Sequence, residues 1–318
     1  MPESADWFTS TGNAGHYTVR ELGFVETGAR PYRLVIFHDA STVFAARLAE
    51  IALAKDLSQT NVSIVVVAIE ERKAHPEFDR LTLPPQLTQP FYWLIGPGEH
   101  AIAIDATVAK GALQRSPLRE TILQDVAESL CTLVLLESSD PAANAQVKSK
   151  AELVLSQINK LRTKFDRSPD AEIKLRVLPT TDREAERFTL WSLGEGTPAG
   201  KEPKLAVLFG NLRRTGAMLE GSTWDEAELF SRIAGLGRFC DSRDTDYFLA
   251  GPLLFSTPPA WHDKVAKALT FDPRDDKIRM EVKALLNEPA ENLAPRKRWT
   301  PLTRIIHRYQ NKKPPSSV

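Results

Sequence analysis

Four polar side chains crowd one short turn. His38, Asp39, Ser41 and Thr42 stand in "HDAST", between the apolar run "YRLVIF" and a helical pattern that starts at Val43. A histidine beside a serine can activate the hydroxyl as a nucleophile, and the free amides of a helix start can hold an anion. The same short side chains also satisfy orphan backbone N–H groups and the helix dipole. No third group that would orient the imidazole stands in the segment, so capping is the favoured reading, with His38 and Asp39 kept as ligand-binding candidates. Arg213 and Arg214 in "GNLRRTG" are the second such pair. Their guanidiniums could grip a phosphate or carboxylate bidentately, or form a charged turn that keeps a sheet edge from pairing; the charged turn is favoured. Asp241, Asp244 and Asp246 in "CDSRDTDYF" bring three carboxylates together, but the glycine and closing glutamate of a calcium loop are missing and Arg243 sits among the acids. A salt-bridged loop follows from that. His262 in "WHDK" stands alone in the first turn of a helix, so no metal site is expected.

Other chemistries lack their residues. "GPGEH" is a hairpin turn rather than a phosphate loop, and no strand-linked G-x-G-x-x-G occurs, so no nucleotide or other cofactor is expected. Cys131 and Cys240 are the only cysteines, without C-x-x-C spacing, which argues against a disulfide framework or structural zinc. Cys131 opens an apolar strand and reads as a small buried thiol; pairing of Cys131 with Cys240 is the redox alternative. No apolar run approaches the roughly 20 residues of a membrane-spanning helix. The start, "MPESADWFTS", lacks the basic flank and apolar core of a secretion signal, so a soluble, cytoplasmic protein is expected.

The elements that must position these residues follow from apolar periodicity. The 318 residues, 42% hydrophobic, suit about two domains. Residues 1–30 read as an extended lead-in. "YRLVIF" and "VSIVVVAI" read as buried strands around a helix from Val43 to Leu57. "HPEFDRL" is a short helical turn, "LPPQLTQP" a loop, "FYWLI" and "AIAI" a hairpin, and Pro117 to Leu130 a helix capped by Ser116. The order then repeats. "CTLVLLE" and "IKLRVLP" flank a long helix, "TDREAERFTLWSL" is helical, "KLAVLF" and "GAMLEG" form a hairpin around "GNLRRT", and "TWDEAELFSRIAGL" is a helix.

This β-α-β-α-β-β-α order, with Pro90 just before the third strand and Pro203 in the matching place, resembles the thioredoxin-like fold. The resemblance covers residues 31–130 and, more loosely, 131–236. It implies a cis proline at Pro90 facing a C-x-x-C motif where Asp39 to Thr42 stand. Neither half has that cysteine pair, and thiol exchange needs an attacking thiolate, so a thiol–disulfide oxidoreductase is disfavoured. The expected fold class is therefore α/β, two tandem thioredoxin-like units at 31–130 and 131–236. A mostly helical region at 237–294 and a basic amphipathic tail at 295–318 complete the chain.

Charge singles out that tail. Basic and acidic residues number 41 each, but seven of the basic ones follow Glu291, leaving 34 against 41 acids and a charge of −7 on the rest. In "RKRWTPLTRIIHRYQNKK", Leu302, Ile305, Ile306 and Tyr309 share a helical face beside Arg304 and Arg308. About ten residues of helix are marginal alone, so the segment needs a surface to fold against. Its own acidic body, a partner protein and an anionic membrane all fit, and nucleic acid ranks last for want of stacking aromatics. The expected role is a non-catalytic protein-interaction or assembly scaffold that docks through these six residues. The alternative is an enzyme or binding protein for a small anionic ligand between the units, using His38, Asp39, Arg213 and Arg214.

Overall fold

The run "YRLVIFH" is buried along nearly its whole length and becomes the central strand β1 (Tyr32–His38) of the first sheet. Helix α2 (Val43–Asp56) carries the chain across to β2 (Val62–Ala68), which pairs with β1 in parallel. Such a crossover needs a helix-length connection, whereas antiparallel neighbours need only a turn. Accordingly β3 (Phe91–Ile95) lies antiparallel to β1, and β4 (Ala101–Ile104) folds straight back on β3, for an order of β2-β1-β3-β4. In this computed structural model the described residues are 17–26, 32–84, 86–97, 100–105, 113, 116–165, 167, 169–240, 252–257 and 259–286.

The second sheet repeats the plan. After α3 (Pro117–Glu128), strand β5 (Thr132–Leu136) is linked by α4 (Pro141–Leu161) to the parallel strand β6 (Lys174–Leu178). Helix α5 (Arg187–Leu193) leads to the antiparallel β7 (Lys204–Phe209), and β8 (Arg213–Arg214) returns on it, giving β6-β5-β7-β8. A short β9 (Leu219–Glu220) also pairs with β7 before α6 (Glu226–Leu236). Strand order and direction are thus the same in both sheets. Helices α7 (Pro259–Leu269) and α8 (Asp276–Leu286) supply the helical C-terminal region.

Four features depart from the sequence reading. Residues 17–25 are not an extended lead-in: α1 (Val19–Leu22) is a buried turn closed by a capping box between Thr18 and Glu21. Arg20 on that turn donates to the carbonyls of Val126, Ala127 and Ser129, the C-terminal end of α3. Second, α3 does not close the first unit. Its Ile122, Leu123, Val126 and Ala127 pack with Val134, Leu136, Ala206 and Leu208 of the second sheet, while α2 and Phe188 of α5 pack on the first. The apolar face of α3 was legible, but which sheet it covers is a long-range matter, so the packing does not divide at Leu130. Third, a further 3₁₀ turn, Ile69–Ala74, precedes the expected helical turn at "HPEFDRL", which is present as Pro76–Phe78. Fourth, the turn after β7 is tighter than "GNLRRT". Gly210 and Leu212 both take positive φ, so the strand resumes at Arg213. A Cβ at Gly210 would fall inside the Gly23 backbone, which fixes glycine there.

The two sheets are tied together by main-chain contacts. Asn61, buried at the start of β2, donates from Nδ2 to the Leu253 carbonyl (2.8 Å) and accepts at Oδ1 from the Phe255 amide (3.0 Å). Trp261 of α7 donates its indole N–H to the Leu123 carbonyl of α3 at 3.0 Å.

Candidate functional site

The turn between β1 and α2 is closed upon itself. Asp39 Oδ1 accepts from the Ser41 amide (2.9 Å), the Ser41 hydroxyl (2.7 Å), the Thr42 amide (3.0 Å) and the Thr42 hydroxyl (3.0 Å). The Ser41 hydroxyl, then the Thr42 contacts, hold the Asp39 carboxyl below the usual carboxylate range. His38 Nδ1 lies 3.0 Å from the Asp39 carbonyl. A catalytic serine must donate to its base, and here the hydroxyl donates to a carboxylate instead. The Ser41 and Thr42 amides are likewise committed to Asp39; the expected capping stops at this turn, for no side chain caps the first amides of α2 itself. No cis peptide bond occurs among the described residues, so the preceding peptide of Pro90 is trans where the resemblance implied cis.

Arg213 and Arg214 lie on β8, turned toward carbonyls of the chain itself. Arg213 Nε donates to the Gly23 carbonyl (3.3 Å) and Arg214 Nη1 to the Leu193 carbonyl (3.1 Å). Burial lowers the pKa of both guanidiniums. The structure does not bring this pair to His38 and Asp39. Arg213 bridges to Pro252, whose carbonyl accepts from the Tyr32 hydroxyl at 3.0 Å. Tyr32 begins β1 and His38 ends it about 20 Å away at roughly 3.3 Å per residue, so Arg213 is linked to the end of the strand opposite His38. A shared anion site at the interface of the units is not assembled.

The cysteines are free and buried. Burial drives the Cys131 thiol far above its ordinary range, which suppresses the nucleophilic thiolate. Among the described residues no group of His, Cys, Asp and Glu side chains is placed to hold a metal ion. No helix among them is long and apolar enough to cross a membrane. Asp241, Asp244 and Asp246 lie outside the described residues, as do Leu302, Arg304, Ile305, Ile306, Arg308 and Tyr309. A groove of about 410 Å³ runs beside the β6 edge, lined by Leu118, Leu175, Val177 and Ala185. Two of its charged groups are already engaged: Arg176 on Asp125, Glu186 on Ser116, Thr189 and the Leu118 amide.

What lies open is the outer face of α2. Ala46 and Leu53 point into the first core, yet Phe44, Leu48 and Ile51 remain 74%, 53% and 69% exposed. They recur at i, i+4 and i+7, a second apolar stripe on a helix that already has an inner one. The signal was in the sequence: "VFAARLAEIALA" is apolar all round, and a helix on one face of a sheet can bury only one side.

No protein-family model and no curated protein matches the chain. Solved structures do. A crystal structure of ERdj5 (form II) aligns over 72% of this chain and 30% of its own, at 10% identity and a TM-score of 0.23. The first two thioredoxin domains of Naumovozyma dairenensis Eps1p align over 72% and 98%, at 12% identity and 0.24. Human ERp44 in its zinc-bound form aligns over 68% and 54%, at 11% identity and 0.22. The chain thus spans under a third of ERdj5 and nearly all of the two-domain Eps1p fragment. Both units have the thioredoxin-like fold. That assignment stands on strand order and direction: parallel β1 and β2, antiparallel β3 and β4, repeated in β5 to β8. The helix start that would carry the redox cysteines of such a unit carries Asp39, Ser41 and Thr42 here.

Proposed function

We propose that this protein is a non-catalytic interaction or assembly module, built on redox-inactive thioredoxin-like units, that docks through the outer face of α2 and the basic segment 295–318. One observation carries the reading. The turn that could do chemistry before α2 is closed on Asp39, while Phe44, Leu48 and Ile51 along the outer side of the helix are left in solvent. Covering three large, mostly exposed apolar side chains returns roughly 3–6 kcal/mol, against an association cost of about 4–15 kcal/mol. The face alone therefore does not hold a partner, and a second contact is needed. The basic segment, with seven lysines and arginines and none of the acids, is suited to that second contact.

The test is affinity capture with full-length protein, with Phe44→Ser/Leu48→Ser/Ile51→Ser, and with a chain ending at Leu293. Captured proteins other than the chain itself are counted by mass spectrometry. Loss of specific partners in the triple variant, with an unchanged circular dichroism spectrum, supports the α2 face; loss on truncation supports the tail. Identical capture by all three sinks the reading.

A further inference from the structure

Strand β2, at the edge of the first sheet, keeps one side of its main chain open. The Asn61 carbonyl accepts from the Tyr32 amide and β2 runs parallel to β1 in that register, so the main-chain groups of Ser63, Val65 and Val67 face β1 and those of Ile64 and Val66 face away. Among the described residues neither Ile64 nor Val66 has a main-chain partner on that side. Segment 252–257 meets this edge only ahead of the strand, where Ser256 bridges to Thr60 and the Phe255 carbonyl accepts from the Asn61 amide. Edge strands are ordinarily guarded by charge, proline or a covering group. The second sheet is guarded in that way: its edge strand β6 carries Lys174 and Arg176, and Asn159 accepts from the Ile173 amide (3.0 Å) and donates to its carbonyl (3.3 Å). In β2, "VSIVVVA", no charge, proline or glycine occurs, and the four residues from Ser63 to Val66 are part-exposed.

We infer that β2 pairs antiparallel with β2 of a second copy of this chain, with Val65 of each copy beside the two-fold axis. The surface is separate from the α2 face and the basic segment, so the inference goes beyond the docking reading and does not depend on it. A two-fold axis sets two copies of one strand antiparallel and places residues equally spaced before and after the axis against each other. Ile64 then faces Val66 of the copy, and Val66 faces its Ile64. Each is a pair that exchanges both N–H···O bonds, so the open groups of one chain are satisfied by the open groups of the other. Val65 falls between them in the non-hydrogen-bonded position, where Cα atoms come within about 4.5 Å. In a register centred on Ile64 or on Val66, that residue meets itself and the other open residue must turn to Val62 or Ala68. Only the register about Val65 satisfies both from each other. The absence of charge suits this pairing, because a residue at the axis meets its own kind. A foreign peptide is instead selected by side-chain pockets flanking an edge, and the groove with such walls lies beside β6. Each chain brings one such strand, so association closes at two copies, with the strands β4-β3-β1-β2 of each joined into one continuous sheet.

Val65→Cys places a thiol beside the proposed axis at a Cα separation that a disulfide can span, and the buried Cys131 and Cys240 do not compete for it. Under mild oxidation of the full chain it is expected to form a disulfide dimer at least about tenfold faster than Leu153→Cys on α4, although Leu153 is the more exposed residue. Sedimentation equilibrium should show dimer, and nothing larger, rising with concentration in the native protein. Val65→Lys and Val65→Glu should each weaken that dimer, and mixing the two variants should restore it, because each charge then meets its opposite across the axis. A variant that had merely misfolded would not be rescued by the other. The Ile64 and Val66 amides should also exchange with deuterium more slowly as protein concentration rises. A native chain that is monomeric at every concentration, a Lys/Glu mixture no more dimeric than its components, or Val65→Cys no faster than Leu153→Cys overturns the inference. So do open-ended aggregates in place of a dimer. Slow exchange at both amides in a monomer at every dilution overturns it as well, by showing the edge covered within the chain. None of these results moves the α2 reading, which is judged by capture with the triple serine variant.

Discussion

Replacing Arg20 with methionine tests whether residues 17–25 hold α3 on the second sheet. The guanidinium is 3% exposed and donates to three main-chain carbonyls, those of Val126 (3.2 Å), Ala127 (3.1 Å) and Ser129 (2.9 Å). It also lies 5.1 Å from the centre of the Phe24 ring. Methionine keeps most of the apolar stem but leaves those carbonyls at the end of α3 without their donor. At about 1–2 kcal/mol for each orphaned acceptor, and about 1 kcal/mol for the lost charge at a helix C-terminus and over a ring, the gross loss is roughly 4–7 kcal/mol. Removing a buried cation returns part of it, since burial brings the Arg20 pKa down to about 10 and so costs the charged form. The net expectation is about 3 kcal/mol of lost stability. Urea unfolding followed by circular dichroism at neutral pH measures it, with the slope compared to confirm that the same surface is exposed. Arg20→Lys should fall between, because a point charge cannot reach three carbonyls in fork geometry. A methionine variant within about 1 kcal/mol of the native protein would mean that the segment does not hold α3.

Three further outcomes can be measured. Both thiols should be silent to a water-soluble thiol reagent in the native protein and both should react after unfolding without reductant; reaction only after reduction would place Cys131 and Cys240 in a disulfide, against their free state here. Burial lowers the pKa of His100 and His262, so below the ordinary histidine value the unfolded chain takes up protons that the folded one refuses. Stability is then fully present above about pH 6.5 and falls as pH drops below it, and His262→Gln should flatten the fall in urea midpoints; an unchanged slope refutes the assignment. For the tail we propose an anionic membrane as a further surface that its basic residues fit, to be read as vesicle co-sedimentation that weakens with salt and disappears in a chain ending at Leu293; salt-insensitive binding refutes an electrostatic origin.

The strands were legible because each is a short, nearly continuous apolar run: "YRLVIF", "VSIVVVAI", "CTLVLLE" and "KLAVLF" give β1, β2, β5 and β7. Their spacing also carried the crossovers and hairpins, and hence the repeated order. Sequence could not carry the choice of partner. The apolar face of α3 fits either sheet equally well by periodicity, and only the approach of Arg20, Trp261 and Phe24 settles it on the second. The same limit hid the use of Arg213 and Arg214, whose acceptors are carbonyls of residues far away in the chain. Two signals were local and still passed over. Thr18 and Glu21 spell a capping box, and the twelve residues of "VFAARLAEIALA" hold more apolar side chains than one buried face can use.

The start of α2 lacks more than a sulfur atom. A reactive thiolate at a helix start is stabilised by free amides, and here the Ser41 and Thr42 amides already donate to Asp39 Oδ1. Cysteine placed at Ser41, whose hydroxyl lies 2.7 Å from that carboxylate, would meet a negative charge rather than a positive pole. Its thiol pKa should therefore rise above the ordinary value of about 8.5. Asp39→Ala together with Ser41→Cys frees the amides and removes the charge, so the pKa should drop below that value. The pH dependence of alkylation rate separates the two variants, because Ser41 is exposed and the native thiols are buried. A lowered pKa in Ser41→Cys alone would show that the turn still favours a thiolate, and that the native chain is one substitution away from redox chemistry. A raised value in Ser41→Cys together with a lowered one in the double variant would show that Asp39 itself bars that chemistry.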